Sequence, residues 1–262
     1  MRRIGFFIAI FLFLLASTLG CRQISRGLDS SSTVFVVQVK ADQKDIVTSV
    51  ERTSRVIQSR LDATGVTGEV KQSEASPDRL EVKIFGKNDI AKLKDFLFKT
   101  YKLEYRKLIS PPSPSPAQTF PTEEQAKIAA TEGQEALPFS EREESDTWQY
   151  VLVEKAPVIT GEHIRHASAV SRTNSDVDYQ ISFSLNEQGA DKFSDWTGKN
   201  INNYLAVVLD GKVKSIAFIR SVISDQGEIS GSFSKAHAEE IALILNSGYM
   251  PWELNIVEER QF

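Results

Sequence analysis

The chain has 262 residues, 41% of them hydrophobic and 25% charged, with a net charge of −4. At roughly 150 residues per domain this is one large core or two modest ones, and it excludes wholesale disorder, a polytopic membrane protein and the basic footprint of a nucleic-acid binder. One cysteine, Cys21, excludes an intrachain disulfide and a thiolate metal cluster, and three histidines narrow the catalytic options.

Arg2 and Arg3 precede an apolar run of 13 residues, 4–16, followed by Ser17, Thr18, Leu19, Gly20 and Cys21. A basic start, a short apolar stretch and small residues form a secretory signal over 1–20; a spanning helix needs about 20 apolar residues. Cys21 behind Gly20 resembles the lipobox of bacterial lipoproteins, although Thr18 stands where that pattern prefers Leu and Leu19 where it prefers a small residue. The resemblance implies lipid attachment at Cys21 and a body held at the membrane on the periplasmic side of the cell envelope. The alternatives are an uncleaved anchor helix, or ordinary cleavage leaving a free cysteine.

Residues 21–33 are a polar tether. A near-continuous apolar run at 34–39 predicts a buried strand. Residues 43–64 predict a helix with Ile46, Val50, Ile57 and Leu61 on one stripe and Gly65 as its stop. Strands follow at 68–72 and 80–84, then a helix capped by Asn88 and carrying Ile90, Leu93 and Leu97, then a strand at 101–109. The order βαββαβ is that of a ferredoxin-like unit over 34–109.

Five of the nine prolines fall in 111–121, and residues 122–146 hold eight acids against two bases. Segment 110–147 therefore reads as a stiff spacer and a solvated acidic insertion with one short helix from Thr122. Residues 148–157 return as a strand of the base. Val177, Tyr179, Ile181, Phe183 and Leu185 alternate with polar residues, predicting a half-buried strand. Asn186 caps a helix bearing Ala190, Phe193 and Trp196. Residues 205–209 and 212–220 flank Asp210-Gly211, a strong hairpin signal. Ser234 caps a helix bearing Ala238, Ile241 and Leu245 and stopped by Gly248; a last strand covers 252–257. The fold class is α+β with mostly antiparallel sheets.

His163 and His166 have an H-x-x-H spacing, but in a turn-to-strand region i and i+3 point to opposite faces. They read as two solvent-facing imidazoles, His237 reads as an exposed helix residue, and no metal, cofactor or catalytic residue is expected. No G-x-S-x-G elbow or phosphate loop is present in the sequence.

The body resembles the large first periplasmic domain of SecD, a subunit of the SecDF protein-export complex. The first half carries Arg60-Leu61-Asp62 with Gly65-Val66, Asp78-Arg79-Leu80 with Val82, and Leu103-Glu104-Tyr105-Arg106. The second half carries Glu154-Lys155-Ala156-Pro157-Val158, Thr160-Gly161-Glu162, Phe183-Ser184-Leu185-Asn186, Thr197-Gly198-Lys199-Asn200, the run 205–211 (LAVVLDG), Ile229-Ser230-Gly231-Ser232-Phe233, Leu245-Asn246-Ser247-Gly248 and Val257-Glu258-Glu259-Arg260. The resemblance covers about 34–260 and implies a ferredoxin-like base subdomain with a second α+β head subdomain. The head maps to 158–233, and the helix and strand of 234–262 return to the base.

The sequence departs from that family in two ways. Ser30, Ser31 and Ser32 replace part of the glycine-rich stretch that follows Gly27-Leu28-Asp29 in SecD, and the family's membrane helices do not follow Gln261-Phe262. The expectation is a stand-alone, non-enzymatic module that binds exported polypeptide or Sec translocon components. The other reading is an envelope scaffold lipoprotein that kept the fold without an export role. The changes at Ile216 and Phe218, and at Tyr249 and Met250, put larger apolar side chains than the family's at loop or strand-end positions, and these four are the polypeptide-contact candidates; local repacking is the bland explanation for them.

Overall fold

A computed structural model describes residues 31–109, 118–140, 148–173, 178–250 and 252–262. Cys21, the apolar run before it and the proline-rich spacer at 111–117 lie outside the described residues. The first half comprises β1 (Ser32–Lys40), α1 (Ile46–Thr64), β2 (Gly68–Gln72), β3 (Arg79–Phe85), α2 (Ile90–Phe98) and β4 (Leu103–Leu108). Then come α3 (Glu123–Ala129), β5 (Gln134–Phe139), β6 (Gln149–Thr160), β7 (Ile164–Ser171), β8 (Tyr179–Leu185), α4 (Glu187–Lys199), β9 (Tyr204–Leu209), β10 (Lys212–Phe218), β11 (Gln226–Phe233), α5 (Lys235–Ser247) and β12 (Glu253–Gln261). The class is α+β and the pairing mostly antiparallel, as expected from the sequence. Among the described residues no helix is long and apolar enough to cross a membrane.

The base is a four-stranded sheet in the order β12-β1-β3-β2. Phe35, Val37 and Val39 of β1 meet Leu80, Val82 and Ile84 of β3, and α1 covers them with Val50, Ile57 and Leu61. Alternation along both strands sends these side chains to one face. Gly65 ends α1 at φ 70°, a left-handed turn that costs glycine little. The cap of α2 is Asp89, which accepts from the Lys92 N–H; Asn88 instead donates to the Phe85 and Gly86 carbonyls.

The topology is ferredoxin-like, but its fourth strand is β12, paired from Thr33↔Gln261 to Lys40↔Glu253. Residues 101–109, expected in that place, form β4 in a different sheet. The reason is burial on both faces: Leu103 and Tyr105 face one apolar cluster while Glu104, Arg106 and Leu108 turn the other way, and nearly all are buried. A sheet edge would expose such a strand, whereas the charged β12 suits an edge.

β4 belongs to a closed barrel, β10-β5-β6-β4-β9. Asp210 and Gly211, at φ 50° and 73°, make the hairpin between β9 and β10. Leu108, Leu137, Val151, Val153, Ala206, Val208 and Val213 fill the barrel. Segment 110–147 is thus more than a surface insertion: β5 pairs with β6 from Gln134↔Glu154 to Phe139↔Gln149 and buries Leu137. The acidic surroundings and Pro138 disguise a strand whose inward contribution is small.

The third sheet, β11-β8-β7, carries Ile181, Phe183, Leu185, Ile229 and Phe233 into a core shared with α4 and α5 and with Leu103, Tyr105, Leu205, Val207 and Leu209 on the barrel's outer side. Helix α5 packs on this sheet through Ala238, Ile241, Ala242 and Leu245. Only β12 rejoins the base sheet; α5, expected to return with it, stays with β7 and β8, because its apolar stripe completes their core.

Candidate functional site: the groove between the base and α5

The base meets the rest of the molecule where α1 and α2 face α5. Phe96 of α2 packs against both the base core and the core of α5, bridging the two. Above it opens a groove of about 730 Å³ between α2 and α5. Val66, Leu93, Phe96, Ala236 and Leu243 give it apolar walls; Asp89, Lys92, Asp95, Lys99, Glu239 and Glu240 rim it. Leu243 is 38% exposed although the other large apolar residues of its helix, Ile241, Ile244 and Leu245, are buried.

The floor is held by Arg60, which is only 1% exposed. Its Nη1 donates to the carbonyls of Phe96, Leu97 and Lys99 at 3.2, 2.9 and 2.6 Å, and its Nε donates to Ser247 Oγ at 3.0 Å. The cation caps the carbonyl end of α2, where the helix dipole favours positive charge, and reaches across to the last turn of α5. Burial lowers its pKa to about 10, which leaves it protonated at neutral pH.

A second bridge crosses the groove rim, Lys99 to Glu240 at 3.0 Å. Burial works against the Lys99 charge, but the Tyr101 hydroxyl and Glu240 outweigh it and hold its pKa above the usual range. Burial raises the Tyr101 pKa, and its hydroxyl lies 3.1 Å from His237 Nε2. His237 also stands edge-on to Phe233, so it is half-buried and not the exposed helix residue expected from the sequence.

Beside Arg60 and Tyr101, Tyr249 wedges between α1 and the end of β6. A Cβ on Gly161 would lie 2.8 Å from its ring, and the Arg52 guanidinium sits 5.7 Å from the ring centroid while pairing with Glu162 at 3.4 Å. Met250 is 3% exposed in the base core. Ile216 packs on the barrel core, and Phe218 lies 5.3 Å from the Tyr204 ring. All four contact candidates thus have intramolecular partners, two on the barrel and two at the base.

His163 is buried, not solvent-facing. Its Nδ1 faces the Thr160 N–H at 3.2 Å and its Nε2 lies 3.2 Å from Lys192 Nζ. Burial, and then Lys192, hold its pKa below the usual value, so the ring is neutral at pH 7. His166 is exposed, and among the described residues no group of three or more His, Cys, Asp or Glu is placed to hold a metal ion. Inside the barrel, Arg106 donates to Glu104 at 2.7 and 3.0 Å and to Glu135, a buried pair satisfied by its own hydrogen bonds.

Sequence reading missed Arg60, Phe96 and Leu243 as site residues. One signal was available: Arg60 falls on the helical stripe of Ile57 and Leu61, where an aliphatic residue is the rule.

Residues 134–252 match the family model for the SecDF P1 head subdomain. The chain is 32% identical over 231 residues to protein translocase subunit SecD of Koribacter versatilis (strain Ellin345), covering 87% of this chain and 41% of that protein. It is 33% identical over 226 residues to the same subunit of Aquifex aeolicus (strain VF5), covering 86% and 41%. The chain therefore spans about two fifths of these relatives' length. Among solved structures, SecDF in its super-membrane-facing form superposes with a TM-score of 0.66 at 24% identity, over 89% of this chain and 30% of that one. A second SecDF structure, described as a membrane component that enhances protein export, gives 0.65 at 24% identity over 87% of this chain and 99% of that one. The arrangement of a ferredoxin-like base, a closed barrel and a three-stranded sheet is therefore that of a SecD periplasmic domain, with residues 134–252 matching the family model for the SecDF P1 head subdomain.

Proposed function

We propose that this protein is a non-enzymatic, extracytoplasmic module of the SecD kind, and that the groove between α2 and α5 receives a segment of exported polypeptide. The observation that carries the reading is the groove itself: apolar walls under a charged rim, at the seam of base and head, with Leu243 left accessible beside half-buried Phe96. Such a site suits a chain segment with a few apolar side chains and no fixed sequence, since the contact is mostly apolar area and few directional groups constrain it. In this reading Cys21 carries the lipid that holds the body at the membrane on the periplasmic side, and Sec translocon components are its neighbours. Binding needs no fuel: capture on one side of a membrane biases a moving chain by mass action alone.

The test is site-specific photo-crosslinking in export-active membranes. A probe at Leu243 is expected to capture exported chains in transit. The same probe at Ile128, 79% exposed on α3 outside the groove, is expected to capture few. Equal capture at both positions, or none at Leu243, overturns the reading.

A second reading, an envelope scaffold without an export role, draws on the continuous core joining head sheet, barrel and α5. Recovery of envelope proteins alone from crosslinked cells, without translocon or secreted chains, would favour it.

A further inference from the structure

The groove between α2 and α5 offers an occupant side chains and almost no backbone. Its lining residues lie on α1, α2 and α5 or in the turns beside them, and among the described residues none of them belongs to a strand. The walls are helix flanks, whose N–H and C=O groups are spent on their own helical bonds. The helix ends that could still offer partners are already served. Asp89 caps the start of α2 and Ser234 the start of α5. At the other end of α2, the Phe96, Leu97 and Lys99 carbonyls accept from Arg60.

An extended segment laid on this floor would lose water from its backbone on the buried side and gain no hydrogen bond in exchange. A helical segment satisfies its backbone internally and brings an apolar stripe to Leu93, Phe96 and Leu243, the usual geometry of a helix held in an apolar groove. The α2 wall is nine residues long, about 13 Å at 1.5 Å per residue, so it matches between two and three turns of a partner helix.

The rim adds a sign. Lys99 and Glu240 pair with each other across the groove. Asp89, Asp95 and Glu239 then stand against Lys92, three acids to one base, and all four are exposed. Cations flanking the apolar stripe of the occupant meet opposite charge there, and anions meet like charge.

We infer that the groove takes its client as a short amphipathic helix with Lys or Arg flanking the apolar stripe. The inference rests on the reading of the groove as the client site and narrows that client to a chemical class.

The test measures binding of the full chain to three labelled peptides of about fourteen residues, roughly four helical turns. One carries leucines at helical spacing flanked by lysines. The second has glutamates in place of the lysines, and the third is the lysine peptide with a proline at its centre. The lysine peptide should bind about tenfold tighter than either of the others at low salt, and its lead over the glutamate peptide should shrink as salt is raised. The double variant Asp95→Lys, Glu239→Lys should reverse the preference between the lysine and glutamate peptides, with circular dichroism confirming its fold. Leu243→Asp should weaken the lysine peptide about tenfold or more. Equal binding of the lysine and glutamate peptides, or of the proline peptide, in a groove that Leu243→Asp still disables overturns this inference and leaves the client site standing. Peptide binding that Leu243→Asp leaves unchanged overturns both.

Discussion

Arg60 Nε and Ser247 Oγ, 187 positions apart in the chain, lie 3.0 Å apart and join the base to α5 beneath the groove. The same guanidinium closes the last turn of α2, so one buried cation fixes both walls relative to each other. Its partners are carbonyls and a hydroxyl. Removing it therefore strands polar groups and leaves no carboxylate behind.

Arg60→Ala should destabilise the fold by about 3 kcal/mol, because a charged group's hydrogen bonds are lost and the α2 carbonyls are left buried. Ser247→Ala should cost only about 1 kcal/mol, since the remaining Arg60 bonds persist. Urea unfolding of both variants checks the ordering. Equal effects would mean that the α2 carbonyls contribute nothing.

Gly161→Ala should cost about 1–3 kcal/mol by overpacking, since the new Cβ would meet the Tyr249 ring at 2.8 Å. Replacing Tyr249 with Ser in the same chain should remove most of that penalty. A double-mutant cycle measures the coupling, which should be near zero only if the wedge is not where it is described.

His163 is held neutral, its pKa below the usual value of about 6.5. A depressed histidine pKa means that the unfolded chain binds the proton first as pH falls. The stability linked to His163 is therefore complete above pH ~6.5 and is lost as the pH drops toward the folded-state value. Urea midpoints measured from neutral to mildly acidic pH should fall more steeply in the wild type than in His163→Gln. Parallel curves would contradict the assignment.

Cys21→Ser should move the protein from the membrane fraction to the soluble extracytoplasmic fraction, or leave it as a precursor with its apolar run attached. Mass and fractionation of the variant identical to the wild type would count against lipid attachment.

Much of the fold was legible because it is local. The alternation of Ile181, Phe183 and Leu185, the stripe of Val50, Ile57 and Leu61, and the Asp210-Gly211 turn each follow from a period or a backbone demand carried by neighbouring residues. What was not legible is non-local. Nothing within residues 101–109 says that they will join β6 and β9 while β12, about 150 positions later, takes the base edge; that choice rests on which strand can be buried on both faces. β5 hid in acidic sequence because Leu137 is its one fully inward residue. The groove hid for the same reason as β4: Phe96 and Leu243 lie on separate amphipathic helices and become a site only when α5 is laid beside α2.

The most direct test of the account is the affinity of the purified protein for an unfolded secretory polypeptide, measured with Leu243→Asp, with Phe96→Asp and with Ile128→Asp as the exposed control. A charge placed on the groove's apolar wall should weaken binding about tenfold or more, while the α3 control binds as the wild type does. Wild-type affinity in both groove variants, with their folds intact, would contradict the claim that the seam between α2 and α5 is where this protein holds its client.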